Sequence, residues 1–209
     1  MTNQDAKAAT RVLYKLARNG GTRAECRALI ADGGDVNIHD MRGQTALMWA
    51  ACNGFVDIVQ ALIDGGADVN AQNSGGKTAL MKAVEVGANK CTQVLLDAGA
   101  DINVQEKTGC TVLMLAILRS GEGMIHTLLA REPDMLLTSI HGKSAVDMLS
   151  SRELVRDIGR KMRAMTESQI AARKKKEIED QFRAAADSGT QKTRRIIKAK
   201  VRNRSMCHD

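Results

Sequence analysis

One segment recurs along this chain at a fixed interval. Thr45 to Gln72 reads TALMWAACNGFVDIVQALIDGGADVNAQ, and 33 residues later Thr78 to Gln105 reads TALMKAVEVGANKCTQVLLDAGADINVQ. A third copy, TVLMLAILRSGEGMIHTLLAREPDML from Thr111, keeps the register with more substitutions. A period of this length marks a stacked helical array. Each copy is a supersecondary unit that buries its apolar face only against its neighbours.

The composition fits such an array. Apolar residues make up 44% of the 209, yet aromatics only 2%. A single globular core uses more large rings, whereas thin stacked helices pack through Ala, Leu, Val and Ile. The five cysteines (Cys26, Cys52, Cys91, Cys110, Cys207) are widely spaced with no C-x-x-C pair, which predicts reduced thiols in a reducing compartment. No stretch has the length of a signal peptide's apolar run or of a membrane span. The expectation is an intracellular, cytoplasmic protein, nuclear if the host is a eukaryote.

Read in order, residues 6–39 form a divergent first repeat. Leu29, Ile30, Gly33, Asp35 and Asn37 stand 33 residues before Leu62, Ile63, Gly66, Asp68 and Asn70. Its basic Lys7, Arg11, Lys15 and Arg18 suit a terminal cap whose outer face meets water. Repeats 40–72 and 73–105 carry the full pattern. Thr45 and Thr78 stand where a hydroxyl caps the first turn of a short inner helix. An outer helix follows and closes at Gly65-Gly66 or Gly99, and Ala-Asp-Val/Ile-Asn leads out into a turn. In repeat 106–138, Glu132-Pro133-Asp134 replaces Gly-Ala-Asp, and Leu136 replaces asparagine. The finger after it is expected to differ in shape. A closing unit, 139–165, starts at Gly142-Lys-Ser144 and places Leu154, Val155, Ile158, Met162 and Met165 on one helical face.

These units resemble the ankyrin repeat, and the resemblance covers residues 1–165. It implies an all-α ankyrin-repeat solenoid of helix-turn-helix units with β-turn fingers, and about five repeats. The family opens its inner helix with Thr-Pro-Leu-His, whereas this chain has Thr-Ala-Leu-Met twice and Thr-Val-Leu-Met once. Alanine serves as well as proline at a first helical position. Methionine exchanges a hydrogen-bonding network between repeats for soft apolar contact, so the fold is kept with somewhat less rigidity.

Residues 166–209 are a separate, basic helical tail. They hold twelve Lys and Arg against six Asp and Glu, most of the chain's net charge of +7. Thr166-Glu-Ser-Gln169 reads as a capping box that opens a charged helix to about Asp187. Ile170, Ile178 and Phe182 give it a thin apolar stripe, and Ser188-Gly189 is its stop. Two basic clusters stand out: Arg173, Lys174, Lys175 and Lys176, then Lys192, Arg194, Arg195, Lys198, Lys200, Arg202 and Arg204. They suit an import receptor, nucleic-acid phosphates, an anionic membrane surface or a partner's groove, or they are a solvated extension. No aromatic is interleaved to stack on bases.

Nothing in the chain points to catalysis. It has no phosphate-binding loop, no H-E-x-x-H and no nucleophile elbow, and His39, His126, His141 and His208 share no ligand spacing with the cysteines. The expectation is no enzyme, cofactor or metal. The resemblance implies instead a concave groove read by side chains in non-consensus positions. Those positions are Met41, Arg42, Gln44, Trp49, Cys52 and Asn53, then Ser74, Lys77, Lys82, Glu85 and Val86, then Lys107, Cys110, Leu118 and Arg119. Trp49 is either a binding hot spot or packing between inner helices. The function expected is a monomeric protein-interaction module, an adaptor, scaffold or inhibitor, with the tail as second contact. A nucleic-acid-associated protein and a microbial ankyrin effector are the alternatives.

Overall fold

In the computed structural model, which describes residues 3–149 and 156–187, ten helices follow one another and no strand is formed among these residues. Four helix pairs come first: α1 (Asn3–Asn19) with α2 (Arg23–Ala31), α3 (Ala46–Cys52) with α4 (Val56–Asp64), α5 (Ala79–Glu85) with α6 (Asn89–Asp97), and α7 (Val112–Arg119) with α8 (Glu122–Leu129). α9 (Ala145–Leu149) and α10 (Arg156–Asp187) complete the described chain. The chain divides into two compact units, Met1–Met162 and Arg163–Asp209.

α3 to α8 are seven to nine residues long, too short to stand alone in water. Stacking holds them. α1, α3, α5, α7 and α9 pack in series, and α2, α4 and α6 form a second row. Alanines 46, 50, 51, 79 and 83 are buried and let the backbones approach, while Leu47, Leu80, Leu113, Leu62, Leu95 and Leu128 fill the space between. Each buried leucine contributes about 1.5–3 kcal/mol. Met48, Met81 and Met114 are buried in one row, at the position where the family keeps histidine. Thr45, Thr78 and Thr111 cap the inner helices, each hydroxyl accepting from the backbone N–H three residues on, at 3.2 to 3.4 Å.

Between pairs the chain makes tight fingers. Gly43, Gly76, Gly109 and Gly142 occupy the same place in four successive turns, with φ from +69° to +77°. Adjacent fingers are stitched by backbone bonds: Ser74 N–H to the Arg42 carbonyl at 2.9 Å, Lys107 to Gly75 at 3.0 Å and Ile140 to Thr108 at 2.9 Å. A second stitch runs through the asparagines. Asn37 Oδ1 accepts from Asp68 N–H at 2.8 Å, Asn70 from Asp101 and Asn103 from Asp134, both at 2.7 Å. On the outer helices Arg23 and Arg27 reach Asp64 at 2.9 and 2.8 Å. A hydrogen bond from Gln60, then those from the two arginines, hold the Asp64 carboxyl far below the ordinary range.

Two expectations are corrected. The fourth finger keeps the common shape despite Leu136, because its own bonds set it: Ser139 N–H to Lys143 O at 2.9 Å, and Gly142 N–H to Ser139 O at 2.9 Å. The departure lies upstream. Glu132 has φ +50° where Gly66 and Gly99 have +87° and +83°, and Pro133 has no N–H to match Ala67 N–H to Leu62 O. Thr166 does not start a helix, since α10 already runs from Arg156 through it. The residues Lys161 to Met165 contain no glycine or proline, so propagating the helix outweighs a single side-chain cap. Ile158 and Met162 are buried, Met165 is half-buried, and Leu154 and Val155 lie outside the described residues.

Two predictions follow from the turns. Gly109→Ala places a Cβ 2.9 Å from Ile140 N on a left-handed backbone, whereas Gly142→Ala meets nothing within 4 Å. Denaturant titration is expected to give a loss of about 1 kcal/mol for Gly142→Ala and roughly 2–3 kcal/mol for Gly109→Ala; equal losses would refute the stitched-finger account. Glu132→Gly is expected to raise stability by roughly 0.5–1 kcal/mol in the same titration, the relief of left-handed strain exceeding glycine's added entropy.

Candidate protein-binding surface

The period of 33 places the expected binding residues in columns. At the finger tips stand Met41, Ser74 and Lys107, all exposed, with Arg42 beside the first. Ile140 falls in the same column and is exposed too, a position missed from sequence although the period pointed to it. At the C-terminal ends of the inner helices run two more columns. Cys52, Glu85 and Leu118 form one, and Asn53, Val86 and Arg119 the other. Gln44, Lys77 and Cys110 precede the capping threonines and are half-buried.

In the first two units the candidates are largely engaged by the fold. The Trp49 indole N–H donates to the Tyr14 hydroxyl at 2.7 Å, and Tyr14 donates to Asp40 Oδ2 at 3.0 Å. Burial pushes the Tyr14 hydroxyl above its ordinary value, which keeps it a donor. Asp40 Oδ1 in turn accepts from the backbone of Arg42 and Gln44 at 2.8 and 2.9 Å. This chain of bonds ties the first helix to the first finger. Arg18, assigned from sequence to the outer end, lies 4.9 Å from the centre of the Trp49 ring, because it sits one turn after Tyr14 on the same face of α1. Asn53 donates to the Arg18 carbonyl at 2.9 Å, and Gln44 accepts from Asn73 at 3.2 Å. Tyr14, Asp40 and Asn73 were not singled out from sequence. The one available signal was that the chain's single Tyr and single Trp both fall on inner helices.

The next two units carry charge. Lys77, Lys82 and Arg119 all turn toward Glu85: Lys77 in direct contact, Lys82 at 3.8 Å and Arg119 at 4.0 Å. The structure thus gathers three expected residues around the carboxylate of a fourth, with exposed Val86 and Leu118 next to them in sequence. The cysteines Cys26, Cys52, Cys91 and Cys110 form no disulfide, and burial pushes the Cys26 and Cys91 thiols up. Among the described residues, no three His, Cys, Asp or Glu side chains converge as a metal site would require, and no helix is long and apolar enough to cross a membrane.

Arg173, Lys174, Lys175 and Lys176 are exposed on α10, as is Ile170, while Ile178 is half-buried. Residues 166–187 hold as many acids as bases, with Glu177, Glu179 and Asp180 following the first cluster. The excess positive charge therefore belongs to the second cluster, Lys192 to Arg204, which lies outside the described residues, as do Cys207 and His208.

No curated protein matches the chain. A family model described as ankyrin repeats in three copies matches residues 13–106 and 65–139, more than half of its length. Ankyrin repeats generally bind other proteins and are typically non-enzymatic. The stitched fingers, the threonine-capped inner helices and this match lead to one conclusion: the chain belongs to the ankyrin-repeat family.

Proposed function

We propose that this chain is a non-enzymatic adaptor, scaffold or inhibitor that holds a partner protein against its fingers and inner-helix ends, with the basic C-terminal segment as a second contact. One observation carries the reading. Positions that make the fold repeat almost unchanged, as in Thr45/Thr78/Thr111, Leu47/Leu80/Leu113 and Gly43/Gly76/Gly109. The columns at the finger tips and inner-helix ends, exposed except at half-buried Cys52 and Glu85, differ in every unit: Met41/Ser74/Lys107, Cys52/Glu85/Leu118 and Asn53/Val86/Arg119. Residues that only cover a fold would be free to repeat; a surface that differs at each step can read an irregular partner. A second weak contact through Lys192 to Arg204 raises avidity without further chemistry.

A nucleic-acid role for the tail is the second reading, favoured by seven basic residues and no acid between Lys192 and Arg204. It makes a separate demand: affinity for DNA or RNA falls steeply with salt and vanishes when those seven residues are replaced by glutamine.

Cross-linking capture with the full chain tests the main reading. Met41→Ser, Val86→Ser and Leu118→Ser together are expected to weaken partner capture roughly tenfold or more, as for loss of exposed anchor residues. Capture that is indifferent to the triple variant refutes the groove. By contrast, Trp49→Phe keeps an aromatic side chain and removes the indole N–H bond to Tyr14, so it is expected to lower unfolding stability by about 1 kcal/mol and leave capture unchanged.

A further inference from the structure

The cluster around Glu85 is not something the fold requires. In the preceding unit, the positions of Lys77, Lys82 and Glu85 hold Gln44, Trp49 and Cys52, and that unit makes the same finger, cap and helix. The charges are therefore an addition to a scaffold that stands without them.

Their geometry is also incomplete as an internal ion pair. Lys77 meets Glu85 directly, but Lys82 Nζ and Arg119 Nη1 stop at 3.8 and 4.0 Å, beyond hydrogen-bond length. Both cations thus keep N–H donors for another acceptor. Glu85 is 11% exposed, whereas the Arg119 side chain is 58% exposed, so the carboxylate anchors the group from beneath and the guanidinium faces outward. Three cations on one carboxylate leave a local charge of +2.

Apolar surface adjoins this charge. Val86 and Leu118, 52% and 49% exposed, directly follow Glu85 and precede Arg119 in the chain. The Ser120 hydroxyl donates to the Val84 carbonyl at 2.9 Å and fixes the end of α7 against the end of α5. The backbone that carries Val86, Leu118 and Arg119 is thereby held in place before any partner arrives, which lowers the entropy lost on binding.

Resting on the groove-binding reading, we infer that the C-terminal ends of α5 and α7 receive a short segment of a partner protein that carries a carboxylate next to an aliphatic side chain. The carboxylate takes the fork of Arg119 and the ammonium of Lys82. The aliphatic neighbour covers Val86 and Leu118. A nucleic-acid strand fits the same place poorly: the positive charge is confined to one spot rather than tracking a phosphate chain, and Val86 and Leu118 offer no stacking platform.

A random-peptide display library presented to the full chain tests this. The enriched peptides are expected to pair Asp or Glu with Leu, Ile, Val or Met. For the best of them, Glu→Gln in the peptide and Lys82→Gln with Arg119→Gln in the protein are each expected to weaken binding roughly tenfold, as for loss of a charged hydrogen bond. Combining the peptide and protein changes is expected to cost little more than either alone, and circular dichroism checks that the variant is folded. Binding should also weaken as salt rises. Enriched peptides without acids, or affinity unchanged in the double variant, overturn the inference. If such peptides still depend on Met41, Val86 or Leu118, the broader groove reading survives its loss. Displacement of the peptide by a single-stranded oligonucleotide binding more tightly than the peptide also overturns it.

Discussion

Three backbone hydrogen bonds between fingers, from Ser74, Lys107 and Ile140 to the carbonyls of Arg42, Gly75 and Thr108, set the spacing on which the rest of the molecule depends. For them to form, each finger's backbone lies within 2.9 to 3.1 Å of where a Cβ would stand on the preceding finger's glycine, closer than a side chain readily tolerates. Gly43, Gly76 and Gly109 are thus required twice over, by a left-handed φ and by a neighbour. The short helices then follow. With the fingers held at a common pitch, Thr45, Thr78 and Thr111 start each inner helix at the same height, and buried alanines and leucines meet without adjustment.

Much of this was legible in the sequence because it repeats. A threonine two residues after a glycine, seen at 43/45, 76/78 and 109/111, identifies a turn and a helix start with no other information. What could not be read is what depends on pairs far apart and outside the period. The bond from Trp49 to Tyr14 spans 35 residues and joins a regular unit to the divergent first one, so no repeat-to-repeat comparison exposes it. Thr166 failed for a different reason. A capping box is a local signal, and a helix arriving from Arg156 that has already passed Gly159 and meets no glycine or proline from Arg160 to Met165 overrides it. Leu136 misled in a similar way, since the finger's shape is set by Gly142 and its own backbone rather than by the residue where asparagine usually stands.

The binding surface was legible as a set of positions but not as chemistry. Subtracting the residues that serve the fold leaves the columns, and the structure places them on fingers and inner-helix ends. In the sequence Lys82 and Glu85 stand three apart on one helix, but Arg119 is a distant, unrelated position. Their convergence on one carboxylate depends on the lateral distance between α5 and α7, which only the stacked geometry supplies. The division of labour also changes along the array. The first units tie Trp49, Tyr14, Asp40 and Asn53 into internal bonds, and the later ones gather their cations on Glu85 beside exposed Val86 and Leu118.

The asparagine stitch has a further consequence. Asn37 to Asp68 and Asn70 to Asp101 are the same bond between different neighbours, at 2.8 and 2.7 Å, and the finger bonds are interchangeable in the same way. A duplicate of residues 73–105 inserted in register would find, on both sides, the partners it already has. The length of the array is therefore a matter of copy number, and each new copy would bring a fresh set of exposed columns without disturbing a core shared by the whole chain.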